Sequence, residues 1–95
     1  MLRWPDKDPD DIITYELDLS GAIGDDTVSD VTWSVTTDPV SPSTMTLTEG
    51  THASGLCQVQ IEGGTAGQDY VIRCRATLTS GAVIDQSLLL KVREK

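Results

Sequence analysis

Hydrophobic and polar residues alternate along much of the chain with the two-residue period of a β-strand. In residues 13–19 the apolar side chains occupy the odd positions and polar side chains lie between them. Because successive side chains of a strand point to opposite faces, each such segment predicts a half-buried strand. The inward-facing residues predicted for the first two thirds of the chain are Ile13, Tyr15, Leu17, Leu19, Val31, Trp33, Val35, Met45, Leu47, Cys57, Val59 and Ile61.

The last third of the chain carries the longest alternation. A strand that starts near Tyr70 leads to the turn Ser80-Gly81-Ala82, and a second alternating strand follows. Two alternating runs joined by a short Gly-containing turn are typical of a β-hairpin. Its inward-facing residues are predicted to be Tyr70, Ile72, Cys74, Ala76, Leu78, Ile84, Leu88, Leu90 and Val92.

Six or seven short strands in a chain of 95 residues predict a single all-β domain. Thr, Val and Ile supply 26 residues, and no Gly- and Pro-free stretch favours a helical period, so almost no helix is expected. Pro39 and Pro42 indicate a loop over residues 38–42. We predict an Ig-like β-sandwich of about seven antiparallel strands over residues 12–95, preceded by an acidic arm at residues 1–11; a closed barrel is the main alternative.

Tyr70 opens its strand directly after a Gly-rich corner, as does the corner tyrosine of immunoglobulin-like domains. The antibody pattern is not met, since Tyr70 precedes Cys74 by four residues rather than two. We expect the Tyr70 hydroxyl to form a hydrogen bond with the backbone of residues 63–68. Trp33, in phase with its neighbours, is expected to be buried between the sheets, whereas Trp4, in a polar segment before a proline, is expected to be exposed.

The two cysteines, Cys57 and Cys74, both fall on inward faces at a similar distance from the corner that joins their strands. They could therefore lie close enough to bridge, but nothing in the sequence indicates an oxidising compartment, which favours two buried, reduced thiols. Two cysteines on separate strands and one histidine are too few ligands for a transition-metal site.

The charge balance excludes several classes of partner. The formal net charge is −8, and all of it arises from residues 1–38. Nucleic acid is not an expected partner, because phosphate binding requires clustered Lys and Arg. There is no apolar run long enough to span a bilayer and no apolar core of a signal peptide near the N-terminus, so neither membrane insertion nor secretion by that route is expected.

No catalytic or cofactor-binding residue is predicted. His52 is the only histidine, it lies in a loop-like stretch, and the chain contains no nucleophile-elbow, P-loop or dinucleotide-binding motif. Asp6, Asp8 and Asp10 have the spacing of the first calcium ligands in an EF-hand loop. The required Gly and Glu further along are replaced by Asp11 and Leu17, so a solvated arm without metal is expected.

Several segments together resemble a known family. They are residues 4–11, 15–19, 32–33, 63–70 and 87–95, of which the Lys-Asp-Pro-Asp-Asp run of the arm and the Gly-Gly-Thr-Ala-Gly-Gln corner are the most specific. The chain resembles the tailed-bacteriophage and prophage proteins described as phage fiber-tail adaptor proteins. The resemblance implies a non-enzymatic, Ig-like structural protein of the virion, made in the bacterial host cytoplasm, present in several copies and bound to other virion proteins.

Without catalytic or metal-binding residues, the protein is expected to act through its surface. The arm combines apolar and acidic side chains, and an exposed tryptophan is a common anchor of protein interfaces. The predicted docking residues are Leu2, Trp4, Asp6, Asp8, Asp10 and Asp11. The alternative function is an Ig-like module that binds a carbohydrate or a cell-surface ligand, which would require exposed aromatic side chains.

Overall fold

The fold was taken from a computed structural model that describes residues 2–38 and 45–94. Within these residues the chain forms two β-sheets with a shared hydrophobic core between them. The strands are β1 (Leu2–Arg3), β2 (Ile12–Asp18), β3 (Val28–Asp38), β4 (Thr46–Glu49), β5 (Leu56–Glu62), β6 (Asp69–Leu78) and β7 (Val83–Lys91), and one short helix, α1, spans Ser20–Ile23.

The larger sheet has the strand order β1-β7-β6-β3, and the smaller has the order β2-β5-β4. All pairs are antiparallel except β1 and β7, which run parallel. This is the strand arrangement of an immunoglobulin-like sandwich. In one sheet β3, β6 and β7 correspond to strands C, F and G, and in the other β2, β5 and β4 correspond to strands B, E and D. The predicted all-β, Ig-like fold is confirmed, with a parallel first strand as the one departure from antiparallel pairing.

The connections between the described strands contain very little helix, as expected from the composition. The described helical residues are the single turn of α1 and a 3₁₀ turn at Ala53–Gly55. The predicted turn after Leu78 is present, since the Leu78 N–H donates to the Ala82 carbonyl at 2.8 Å. The loop predicted at residues 38–42, with Pro39 and Pro42, lies largely outside the described residues.

The predicted inward positions form the core. The inward side chains of β5, β6 and the second half of β7 are almost completely inaccessible to solvent, while Ile13, Trp33, Val35, Leu47 and Ile84 pack partly buried around them. Gln86, which interrupts the apolar face of β7, lies opposite Cys74 on β6 and donates from its amide to the Ser87 carbonyl. Alternation therefore located the core correctly within the strands.

The corner before β6 has the predicted hydrogen bond. The Tyr70 hydroxyl accepts from the backbone N–H of Thr65 at 2.8 Å, and the Tyr70 ring is buried. Gly64 has a φ of +98°, and a Cβ at this position would lie 2.9 Å from Val92 Cγ2. Only glycine meets both requirements without strain. The corner thus holds the start of β6 and the end of β7 together.

Candidate docking surfaces

The N-terminal arm is an edge of the larger sheet. Leu2 and Arg3 pair with Leu88 and Leu89 of β7, and the Trp4 N–H donates to the Leu89 carbonyl at 3.1 Å. The pairing resumes at Lys7, whose N–H donates to the Lys91 carbonyl at 3.0 Å. Pro5 can lie within this segment because an edge strand has one side without partners and tolerates a residue that lacks an N–H.

The prediction that Trp4 is exposed is wrong, and the predicted burial of Trp33 is met only in part. Trp4 is 8% exposed and belongs to the core cluster, whereas Trp33 is only partly buried. The Trp4 ring stacks on Tyr15 with 4.7 Å between ring centroids and lies 6.1 Å from the Trp33 ring. The Tyr15 hydroxyl also donates to the Pro5 carbonyl at 3.2 Å. Trp4 therefore fastens the arm to the sandwich and is not an exposed anchor.

Lys7 is buried, although the sequence pattern does not predict its burial. Its side chain is inaccessible to solvent, and its ammonium group donates to the carbonyl oxygens of Asp8 at 2.8 Å and Gly63 at 2.7 Å. Burial lowers the pKa of this amine, although the neighbouring carboxylates of Asp11 and Asp8 act in the opposite direction. The contact with Gly63 connects the arm to the Tyr70 corner.

The acidic residues of the arm form a turn. The Asp11 N–H donates to the Asp8 carbonyl at 3.0 Å, the Asp10 N–H donates to Asp8 Oδ1 at 2.9 Å, and the Asp8 N–H donates to Asp11 Oδ2 at 3.2 Å. Asp6 instead pairs with Arg3 at 2.7 Å, which lowers the pKa of its carboxyl. The Asp6, Asp8 and Asp10 carboxylates thus have separate environments, and no group of metal-ligating side chains is found among the described residues.

The arm therefore presents only part of the predicted docking set to a partner. Asp10 is exposed, Asp6, Asp8 and Asp11 are partly exposed, and Trp4 is buried. The Leu2 backbone is paired with β7, and its side chain lies outside what the structure describes. The accessible chemistry of the arm is consequently carboxylate rather than aromatic.

Cys57 and Cys74 face each other across the core as free, fully buried thiols. They come from different sheets, on β5 and β6, and are close enough to interact through their side chains. Burial raises the pKa of Cys74 to about 12 and also raises that of Cys57. The thiols are therefore protonated and act as core side chains.

The outer face of the larger sheet contains a cluster of two arginines and one aspartate. Arg75 forms a bidentate pair with Asp85, at 2.8 and 3.1 Å, and Arg73 contacts the same carboxylate at 3.0 Å. These hydrogen bonds lower the pKa of Asp85 to about 2. The cluster borders a shallow depression of about 290 Å³ lined by Ser34, Thr36, Val71, Arg73, Asp85 and Ser87.

The charged side chains on the outer face of the smaller sheet are all acidic among the described residues. Its outward positions carry Glu16, Asp18 and Glu62, and no Lys or Arg lies among the described residues of this face. The side-chain amide of Gln58 donates to Glu16 at 3.1 Å, and Asp18 accepts from the Ser20 N–H at 2.9 Å. The sequence shows the excess of acidic residues but not which sheet face carries them, because strand pairing decides which charges share a face.

Three further observations concern His52, the helices and the aromatic residues. Nδ1 of His52 lies 3.8 Å from the Glu49 carboxylate, in a surface loop. In the described part of the chain, no helix combines the length and the apolar character that crossing a membrane requires. All four aromatic residues, Trp4, Tyr15, Trp33 and Tyr70, are buried or partly buried. The described sheet faces are therefore mainly charged and polar, with Ile12 and Val83 as exposed apolar side chains.

A known protein family matches most of the chain. Residues 7–91 match the family described as podophage GP4 fiber-tail adaptor protein gp77. The chain therefore belongs to this family of phage structural proteins, as its sequence resemblance implied. Neither the curated proteins nor the solved structures gave a significant match.

Proposed function

We propose that this protein is a non-enzymatic component of a bacteriophage or prophage virion that joins the tail to a fiber by protein–protein docking. The observation that carries the proposal is the family match, which extends from Lys7 to Lys91, the last residue of β7. In this role the chain is made in the host cytoplasm, enters the particle in several copies, and binds other virion proteins rather than nucleic acid or membrane.

The surface chemistry supports docking. The charged surfaces that the described chain exposes include an acidic turn at residues 8–11, a carboxylate-bearing face of the smaller sheet and an arginine-bearing face of the larger sheet. An adaptor must contact two partners at once, and a sandwich offers two outer faces and two ends. Carbohydrate binding has less support, since no aromatic side chain is exposed as a platform for a sugar ring.

We further propose that the acidic residues of the arm, Asp6, Asp8, Asp10 and Asp11, form part of the docking surface for a basic partner. Asp10 is the best residue for a test because it is exposed and its carboxylate accepts no hydrogen bond that holds the turn. Deleting the arm is a poor test, since deletion would also remove Trp4 and Lys7 from the core.

The experiment uses particles made without this chain and then complemented with purified protein. Wild-type protein should restore fibers on the tails, counted by electron microscopy, with its own copy number measured by mass spectrometry. Asp10→Lys should lower the occupancy several-fold, most strongly at low salt where charge interactions are least screened. Asp25→Lys, an equal charge change at an exposed residue near α1, should incorporate normally.

Two results would count against these proposals separately. Normal fiber attachment in particles that lack the chain would exclude the adaptor role. Equal incorporation of Asp10→Lys and Asp25→Lys would leave the adaptor role intact and show that the acidic turn is not its docking surface.

A further inference from the structure

The edges of the two sheets differ in how they are protected. An unpaired edge can accept a further strand, and proteins normally cover such edges, keep them short or place charges on them. In the part of the chain that the structure describes, β1 covers β7, β4 has only four residues, and β2 carries Glu16 and Asp18. β3 is the last strand of the larger sheet and has 11 residues. Its segment 31–37 contains no charged residue, proline or glycine, so this edge lacks the usual protection.

The hydrogen-bond pattern of the larger sheet shows which backbone groups of β3 point outward. Leu89 of β7 directs its carbonyl to β1, where it accepts from the Trp4 N–H at 3.1 Å. Because successive residues of a strand bond to opposite neighbours, the alternation can be followed from β7 through β6 to β3. The β3 residues that it assigns to hydrogen bonds with β6 are Thr32, Ser34 and Thr36.

The backbone groups of Trp33 and Val35 therefore point away from the sheet. Val31, which shares their orientation, supports this assignment, because its N–H donates to Asp30 Oδ1 at 3.0 Å. No described strand pairs with β3 on this side. Immunoglobulin-like domains of the variable type place strand C′ here, next to strand C. The described part of the chain leaves that position open.

The inward side chains at this edge are apolar but incompletely covered. Trp33 and Val35 are partly buried, whereas their partners on β6, Cys74 and Ile72, are inaccessible to solvent. β4, an edge strand of the smaller sheet, lies near β3 and contributes the partly buried Leu47. The edge thus combines unpaired hydrogen-bonding groups with apolar surface, and an extended segment with alternating side chains can satisfy both.

The strands around this edge carry carboxylates rather than cations. Residues 8–72, which include β2 to β5, contain no Lys or Arg. Asp30 on β3 and Glu49 on β4 are exposed. On the neighbouring β6, Arg73 and Arg75 are both paired with Asp85. A basic segment therefore complements this edge, whereas a second copy of β3 would bring the same Asp30 and a net charge of −8.

We propose that an extended segment of another virion protein adds to β3 as a further antiparallel strand of the larger sheet. Its apolar residues alternate with polar ones and pack beside Trp33 and Val35, and Lys or Arg residues lie near its ends. Antiparallel pairing is the more stable arrangement and continues that of β6. The identity of the partner as a virion protein rests on the proposed function, but the addition of a strand does not.

Nuclear magnetic resonance of the purified full-length chain tests the proposal, with the peptide acetyl-Lys-Val-Thr-Val-Thr-Val-Lys-amide as the probe. In the free chain the Trp33 and Val35 amides should exchange rapidly with solvent, while the Ser34 amide between them exchanges slowly. Binding should shift the Trp33 and Val35 resonances and slow their exchange. A contact only one strand wide is small, so we expect a Kd of about 0.1–1 mM.

Variants of the peptide separate backbone pairing from general adhesion. N-methylation of its three valines removes the N–H groups that face β3 in an antiparallel pair, whereas N-methylation of its two threonines leaves them. The first change should abolish binding and the second should preserve it. Replacement of both lysines by glutamate should weaken binding several-fold.

A pair of variants at Val35 makes the same test on the protein. Val35→Pro removes one outward N–H, which an edge strand tolerates, and should lower the affinity for the peptide at least several-fold. Val35→Thr keeps the N–H and a β-branched side chain, so it should bind like the wild type. Circular dichroism confirms that both variants are folded.

Slow exchange of the Trp33 and Val35 amides in the free chain would overturn the proposal, because the edge would then already be covered. So would the absence of resonance shifts at about 2 mM peptide, or equal binding of the valine-methylated peptide. A dimer of the chain alone that protects the same amides would assign the edge to a second copy instead. Since all these measurements use the purified chain, their failure leaves the adaptor role to be decided by fiber attachment.

Discussion

Trp4 and Trp33 meet in one aromatic cluster but differ in burial, and this difference has an energetic consequence. Trp4 is 8% exposed and stacked on Tyr15, whereas Trp33 is only partly buried. Trp4→Ala should lower the free energy of unfolding by about 3–5 kcal/mol, as for other buried tryptophans, and Trp33→Ala by less. Urea denaturation followed by far-ultraviolet circular dichroism measures both values.

Trp4→Phe provides the control, because it keeps an aromatic ring against Tyr15 and should recover part of the loss. If Trp4→Ala were no more destabilising than Trp33→Ala, the arm would not contribute to the core in solution.

The Tyr70 hydroxyl makes a contact whose loss can be observed at one amide. It accepts from the Thr65 N–H at 2.8 Å, so Tyr70→Phe should cost about 1 kcal/mol, the typical net value of a hydrogen bond. The hydrogen-exchange rate of the Thr65 amide should rise at the same time. Tyr15→Phe is the matched control, because its hydroxyl contacts the Pro5 carbonyl instead. An unchanged Thr65 exchange rate in Tyr70→Phe would contradict the corner geometry.

At the scale of elements, the arm is held at both of its ends. The backbone of β1 pairs with β7, and the Lys7 ammonium binds the carbonyl of Gly63 across the molecule. Lys7→Met keeps the volume of the side chain but leaves buried carbonyl oxygens without a donor. We expect a loss of about 1–3 kcal/mol in unfolding free energy and faster exchange of the Lys7 and Arg93 amides that pair the arm with β7.

Lys91→Met removes the same functional group from a partly exposed position and should leave stability nearly unchanged. Equal stability of Lys7→Met and the wild type would mean that the buried ammonium is not needed to hold the arm.

The contrast between the strands and the arm explains what the sequence could predict. β5 and β6 alternate strictly, so the burial of Val59 or Ile72 follows from local periodicity. Trp4 and Lys7 are buried because their backbone pairs with a strand more than 80 residues away, and no local pattern encodes that pairing. For the same reason the charges that share one sheet face can be identified only when the order of the strands is known.

At the scale of the whole molecule, the buried titratable groups determine the response to alkali. The pKa values of Cys74 and Tyr15 are both raised to about 12, chiefly because burial disfavours their charged forms. The unfolded chain loses these protons nearer pH 9 and 10, so it binds fewer protons than the folded chain between those values and pH 12. Stability therefore falls as the pH rises through this window. Lys7, whose pKa is lowered, has the opposite effect. Its titration raises stability as the pH increases through the range just below its usual pKa.

Urea unfolding midpoints measured between pH 8 and pH 12 should consequently decline, with a contribution from Cys74 on the order of 2–4 kcal/mol at the upper end. Cys74→Ala should lower stability at neutral pH, because it opens a small cavity, but should decline less steeply with pH. Val59→Ala also opens a cavity in the same fully buried core but removes no titratable group, so it should keep the wild-type slope. Parallel pH profiles for the wild type and Cys74→Ala would contradict this prediction. They would mean that the thiol ionises as easily between the two sheets of the folded protein as in the unfolded chain.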